Sequence, residues 1–381
     1  MDILKYSEDH NRFRQRLREF IEKEVTPHHV DQWEKDKIVP KSAWRKMGEN
    51  GFLCMSVSPE YGGMGGDFLY SVIAAEEMAR TNHTGLITML HTDVVVPYID
   101  AFGSEEIKKK YLPGCVSGEC VTAIAMTEPG AGSDLSSMAT TAVEQNGEVI
   151  INGSKTFISS GINCDLVIVA ARDPSVGNAY QAISLYVVES GTPGFSRGRQ
   201  LEKMGFHSQD TAELFFTNCR IPAMNRLGEI GGGFYMLMDK LQQERLVTAI
   251  GAVVAAEYIL DATMNYCKKT LVSGRPITKS QAVQFALVEM ATEVKIGRIF
   301  VDKLIADHME KKSIIIETSM AKYWTTEMVR RVADRCLDLF GDFGISEDCP
   351  IVRAWRDVRV MSIFAGTNEI MKNIAAKFMG M

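Results

Sequence analysis

The sequence predicts an α+β chain of three parts: a helical domain over residues 1–120, a β domain over 121–225 and a helix bundle over 226–381. Three observations carry this. Apolar residues recur at three-to-four spacing early in the chain, as in Phe13, Leu17, Phe20, Ile21 and Val25. From Val121 to about Pro222 the pattern changes to short alternating or apolar runs separated by turn residues. From Gly231 the helical period returns and persists to the end.

In the first part, Pro27 ends the opening helix. Glu60-Tyr61-Gly62-Gly63-Met64-Gly65-Gly66 forms a glycine-rich loop, and Ser71 to Arg80 is helical. A further helix starts at Glu105 and is expected to stop at Pro113-Gly114. In the second part, Glu148–Ile151, Leu166–Ala171 and Ile183–Val188 read as strands, with Asn152-Gly153 as a hairpin turn. In the third, Phe234, Met238, Leu241, Leu246, Ile250, Val254 and Tyr258 form one long apolar face, continued by segments 280–310, 316–340 and 364–380.

Composition excludes several classes of function. A net charge of -6 argues against nucleic acid as the main partner. The eight cysteines form no C-x-x-C pair and have no histidine at zinc-ligand spacing, so no metal site is expected. Buried free thiols and a cytoplasmic setting are expected instead. No run of 18 apolar residues occurs, so no segment is expected to span a membrane. There is no H-E-x-x-H helix and no dinucleotide fingerprint of the G-x-G-x-x-G kind.

Four stretches carry chemistry. Met126-Thr127-Glu128-Pro129-Gly130-Ala131-Gly132-Ser133-Asp134 can bring backbone N–H groups close to a phosphate or a flavin edge, or is a plain turn. Phe157-Ile158-Ser159-Ser160-Gly161 offers an aromatic face and hydroxyls to a planar ring, or is a strand end. Phe364-Ala365-Gly366-Thr367-Asn368-Glu369-Ile370 opens the last helix, with Thr367 or Asn368 as cap. Glu244-Arg245 lies within the long helix among Leu241, Leu246 and Val247. There it is a solvent-facing ion pair, or Glu244 points inward with a raised pKa as a general base.

In their order and spacing these motifs resemble the acyl-CoA dehydrogenase family over nearly the whole chain. Further matching pieces are Glu76-Glu77-Met78-Ala79-Arg80, Asn152-Gly153-Ser154-Lys155, Met320-Ala321-Lys322-Tyr323-Trp324 and Arg356-Asp357-Val358-Arg359. Gln243-Glu244-Arg245-Leu246, with Gly205 through Phe216, is similar to the long-chain and branched-chain subgroup. The resemblance implies an N-terminal helical domain, a central β-barrel-like domain and a C-terminal four-helix bundle, with FAD between the last two. It implies α,β-dehydrogenation of an acyl-CoA thioester, with electron-transferring flavoprotein as acceptor, in a tetramer.

By the same resemblance, Thr127 bonds the pyrimidine edge of the flavin, Met126 is a further cofactor residue, Ser159 lies near N5 and Phe157 packs on the ring. Ser133 lies beside the pyrophosphate or the CoA arm, and Thr367 and Glu369 complete the cofactor site. Arg245 supports the CoA end or the base, while Phe234, Tyr235, Leu241 and Gly366 line the substrate. The Ala365 N–H joins a ribityl hydroxyl in holding the thioester oxygen. Many members carry the base immediately before Gly-Thr, where this chain has Ala365. A smaller group carries it on the long helix, so Glu244 is the expected base and Asp93 the fallback carboxylate.

The family's Arg-Lys-x-Phe-Gly stretch, which reaches a neighbouring subunit's FAD, reads Thr270-Leu271-Val272-Ser273-Gly274 here. Asp338 stands where a glutamine usually does, and Gly341-Asp342 replaces a Gly-Gly pair. Arg275 or Lys268 substitutes, or a different subunit supplies the contacts in a mixed tetramer, or FAD binds weakly. Two other readings stay open: an enoyl-CoA reductase or acyl-carrier-protein dehydrogenase of the same fold, and a non-catalytic partner subunit.

Overall fold

A computed structural model describes residues 3–381. The chain begins with helices α1 (Glu8–Glu24), α2 (Pro27–Asp36), α3 (Lys41–Glu49), α4 (Phe68–Ala79), α5 (Val96–Phe102) and α6 (Glu105–Ser117). Ser7, Thr26, Asp67 and Ser104 cap four of them by accepting a first-turn N–H, which satisfies donors that the helix cannot. Pro27 opens α2 at its first turn, where a missing N–H costs nothing. A π-helical turn, Leu90–Val95, runs directly into α5.

α6 does not stop at Pro113-Gly114. It continues to Ser117 and ends on Gly118 at φ 74°. Pro113 is exposed, and burial of Leu112, Cys115 and Val116 holds the last turn despite the lost hydrogen bond.

The β domain consists of β1 (Thr122–Ala125), β2 (Thr141–Gln145), β3 (Glu148–Ser159), β4 (Leu166–Arg172), β5 (Ile183–Glu189), β6 (Phe195–Gln200), β7 (Thr211–Pro222) and β8 (Arg226–Leu227). Their order is β6-β7-β3-β2-β4-β5-β8, with β1 parallel to β4. The sheet is open, so "barrel-like" describes it only loosely. The hairpin turn is not Asn152-Gly153. β2 and β3 turn at Asn146-Gly147, with φ values of 54° and 80°, the left-handed pair that a tight hairpin needs. Asn152-Gly153 lies inside β3 at a bulge against β7. A Cβ on Gly153 would lie 2.4 Å from the Thr140 hydroxyl, so the glycine serves close packing rather than a turn.

α7 (Gly233–Lys269) then crosses the molecule, followed by a small hairpin of β9 (Leu271–Val272) and β10 (Arg275–Pro276). α8 (Gln281–Met309), α9 (Ile315–Asp338), α10 (Val352–Asp357) and α11 (Asn368–Phe378) complete the chain. α7, α8, α9 and α11 form the four-helix bundle, with α9 against the other three. α7 is long and apolar enough to cross a membrane, but 67% of its most apolar 18-residue stretch is buried within the protein. It is a core helix. Leu237 belongs to the core shared by the N-terminal helices and the sheet, while Leu246 belongs to the bundle core. Glu244 and Arg245 fall at the seam between these two cores.

Candidate active site

Glu244 is 4% exposed. Its carboxyl accepts a 2.7 Å hydrogen bond from the Tyr98 hydroxyl on α5. Burial pushes its pKa up to about 7, against the opposing pull of that bond and of the Arg245 charge. The shift from an ordinary carboxylate corresponds to about 3 kcal/mol favouring the protonated form. A carboxyl so poised can take a proton near neutral pH.

Arg245 is also buried, and among the described residues its Nε has no hydrogen-bond partner. Burial lowers its pKa, and Glu244 opposes this. A buried guanidinium with an unused donor has capacity for an acceptor from outside the chain. The pair is therefore inward, not a solvent-facing ion pair.

Asp93 sits on the π-helical turn, 4% exposed, and accepts a 2.5 Å hydrogen bond from Ser71 Oγ. Burial pushes it up to about 7 as well. Its backbone carbonyl accepts from Gln243 Nε2 at 2.7 Å, which ties the turn to α7 one residue before Glu244.

Ala365 and Gly366 have φ values of 52° and 88°. This left-handed pair turns the chain into α11, which Thr367 caps by accepting from the Ile370 N–H at 3.3 Å. Among the described residues the Ala365 N–H has no protein acceptor. The Gly366 carbonyl accepts from Lys322 Nζ at 2.6 Å. Lys322 is 0% exposed, and sequence reading gave it no role. Asn368 is buried against α9 and does not cap, while Glu369 is exposed in the first turn.

In the β domain, Met126 and Thr127 follow β1. The Thr127 carbonyl accepts from the Thr156 N–H at 2.9 Å. Lys155 Nζ donates to the Met126 carbonyl at 3.1 Å and to Glu128 at 2.7 Å, both side chains buried. Gly130 and Gly132 face open space, and Ser133 is exposed beside them. The bulge between Lys155 and Ile158 throws Phe157 outward, 67% exposed at φ 56°. Ser159 is half-buried at the strand end. A large aromatic at positive φ is strained. A planar partner stacked on it would justify that conformation.

Phe234 is half-buried and meets Tyr180 edge-on with centroids 4.7 Å apart. Leu241 is half-buried and roughly on the Glu244 side of α7. Tyr235 is 63% exposed and, nine residues from Glu244, lies about half a turn round the helix. It is not brought together with the base. The Thr270–Gly274 region is the exposed β9–β10 hairpin, and Lys268, Arg275, Asp338 and Asp342 are likewise exposed.

Family models cover nearly all of the chain: the acyl-CoA dehydrogenase N-terminal domain matches residues 7–119, the middle domain 123–219 and the C-terminal domain 231–380. The chain belongs to the acyl-CoA dehydrogenase family. It is 43% identical to the mitochondrial long-chain specific acyl-CoA dehydrogenase of Mus musculus over 378 residues, covering 98% of this chain and 86% of that protein. The crystal structure of an acyl-CoA dehydrogenase from Geobacillus kaustophilus superposes with a TM-score of 0.96 at 52% identity, covering 99% of both chains. A structure described as the FAD complex of PigA superposes with a TM-score of 0.91 at 25% identity, covering 99% of both. The protein is therefore an oxidoreductase of this family, and FAD is its cofactor. The exposed Phe157 ring, the open glycine loop at Gly130–Gly132 and the half-buried Ser159 suit a flavin with its pyrophosphate.

Proposed function

We propose that the enzyme removes the α-proton of an acyl-CoA thioester with Glu244 while the β-hydrogen leaves as hydride on the opposite face. Bound FAD supplies the hydride acceptor, and the electrons pass on to electron-transferring flavoprotein. The observation that carries this reading is the buried Glu244 carboxyl, held by Tyr98 and titrating near neutrality. Ala365 has no group to take the proton, which leaves its N–H free to hold the thioester oxygen as negative charge develops there. Arg245 adds positive charge beside the base and toward the CoA end. Burial excludes water from the base, which strengthens each of these interactions.

In this reading Met126, Thr127, Ser133, Phe157, Ser159, Thr367 and Glu369 hold the cofactor, and Phe234, Leu241 and Gly366 border the acyl chain. Asp93 keeps its own donor, Ser71, and stands as the second carboxylate. We also propose an oligomer, a homotetramer or a mixed tetramer. Phe285, Val288, Ile296 and Ile299 form an apolar stripe along α8, each more than a third exposed. Such a face is suited to another subunit.

The test is anaerobic mixing of the purified yellow holoenzyme with butyryl-, octanoyl-, palmitoyl- and isovaleryl-CoA. Bleaching of the flavin by at least one thioester supports dehydrogenation. No bleaching by any, with reduction of the matching enoyl-CoA by the dithionite-reduced enzyme, would favour the reductase. Neither reaction in a flavin-loaded protein would favour the non-catalytic subunit.

A further inference from the structure

The tyrosine at the base is built into the backbone around it. Tyr98 is 0% exposed, and its hydroxyl ends on Glu244 Oε1 at 2.7 Å. It follows Pro97, which has no N–H. In an α-helical register the Asp93 carbonyl would look to position 97 for a donor. The chain forms a π-helical turn over Leu90–Val95 at this place, and the Gln243 side chain donates to the Asp93 carbonyl at 2.7 Å. His91 pins the other side of the turn, its ring bonded to Thr122 Oγ1 at 2.8 Å and to the Cys115 carbonyl at 2.9 Å. Two consecutive residues of α7, Gln243 and Glu244, are thus docked on the turn and on the helix that it launches.

This proposal rests on Glu244 being the base. We propose that Tyr98 is a positioning residue for proton abstraction: its hydroxyl fixes one oxygen of the Glu244 carboxyl and leaves the other to take the α-proton, with the Gln243–Asp93 bond holding the register. The α C–H bond breaks and its proton goes to the free carboxyl oxygen, its electron pair forms the α,β double bond, and the β C–H bond breaks with loss of hydride, for which FAD would be the acceptor. A donor on the carboxylate favours its charged form. Removing that donor therefore raises the pH at which the base becomes competent. The charged groups acting on the pair are Arg245 and Asp239 on α7; Lys322 on α9 feels the Arg245 charge, and Asp93 lies on the turn that Gln243 holds. None of these is altered by Tyr98→Phe, so a difference in pH profile reports on the Tyr98–Glu244 bond.

The experiment is stopped-flow reduction of the FAD holoenzyme by octanoyl-CoA from pH 5.5 to 9.5, for wild type, Tyr98→Phe, Glu244→Gln and the double variant. Thermal unfolding and flavin content establish that each variant is folded. We expect the acid limb of Tyr98→Phe to move up by about one pH unit. Its rate should fall about 5-fold at pH 7 and about 10-fold at pH 6, and recover toward wild type at high pH. The double variant should be no slower than Glu244→Gln. A limb coincident with wild type, or a loss constant across pH, overturns the role of Tyr98 while leaving the base in place. Should Tyr98→Phe lose its flavin, the same profile is taken with Gln243→Leu, where an unmoved limb and undiminished rate equally overturn the proposal. Near-normal reduction by Glu244→Gln is a separate outcome, which removes the base reading itself.

Discussion

The Lys322 ammonium lies 2.6 Å from the carbonyl oxygen of Gly366 and 3.2 Å from Asn368 Oδ1, wholly buried between α9 and the turn into α11. Burial pulls its pKa down to about 8, with Glu369 opposing and Arg245 adding to the effect. One cation thus anchors the left-handed Ala365-Gly366 pair from behind. Lys322→Met removes the anchor, and the Ala365 N–H loses its fixed aim. The rate of flavin reduction should fall by about 10-fold or more. The effect should appear in the rate at saturating acyl-CoA, measured by stopped flow, more than in flavin content.

A second buried lysine lies in the β domain. Lys155 joins the Met126 carbonyl to Glu128, whose carboxylate also accepts the Ala139 and Thr140 N–H groups. Lys155→Met leaves Glu128 charged and without its cation. The expected cost is about 3–5 kcal/mol of stability, the range for a broken buried pair. FAD should also bind more weakly. Denaturant unfolding and flavin titration read these two effects separately.

Glu244 should cost the fold stability. Its folded pKa, about 7, lies above the ordinary value of 4.5. Between those pH values the native state binds more protons than the unfolded chain, so stability falls as pH rises through this window. Above pH 7 the carboxylate is buried with its charge, at full cost. Glu244→Gln keeps an acceptor for Tyr98 and has no charge. At pH 8 the variant should melt a few degrees higher than wild type, and at pH 4.5 the two should melt together. A lower melting temperature at pH 8 contradicts the buried, raised carboxyl.

The α8 stripe gives an assembly prediction. Ile296→Glu together with Phe285→Glu places charge on the face expected to meet another subunit. Light scattering after size exclusion should show a smaller species than wild type. An unchanged mass would leave that face free of the assembly.

Much of the fold was legible because burial follows periodicity. The change near Val121 and the return of helical spacing at Gly231 mark where β1 and α7 begin to within a few residues. Local turn chemistry was less reliable. Asn152-Gly153 and Asn146-Gly147 carry the same dipeptide, and only pairing with β7 makes the former a bulge. Pro113 reads as a helix stop, yet tertiary burial of its neighbours overrides the missing N–H. Glu244 stood out as a carboxylate among apolar residues of a long helix. Tyr98 did not, although a tyrosine within Val94-Val95-Val96-Pro97-Tyr98-Ile99 must find a partner for its hydroxyl once buried. Which partner is a matter of contact between α5 and α7, 146 residues apart in sequence. Lys155 and Lys322 were illegible for a related reason: a lysine's ordinary place is the surface, and nothing local says which one is folded inward.

In the proposed reaction Glu244 takes the α-proton. Wild type and Glu244→Gln, both loaded with FAD, are mixed anaerobically with an acyl-CoA that bleaches the wild type, and the flavin absorbance is followed. Loss of bleaching by several orders of magnitude in Glu244→Gln, with FAD and acyl-CoA still bound, is the expected result; bleaching at a near-normal rate would contradict it.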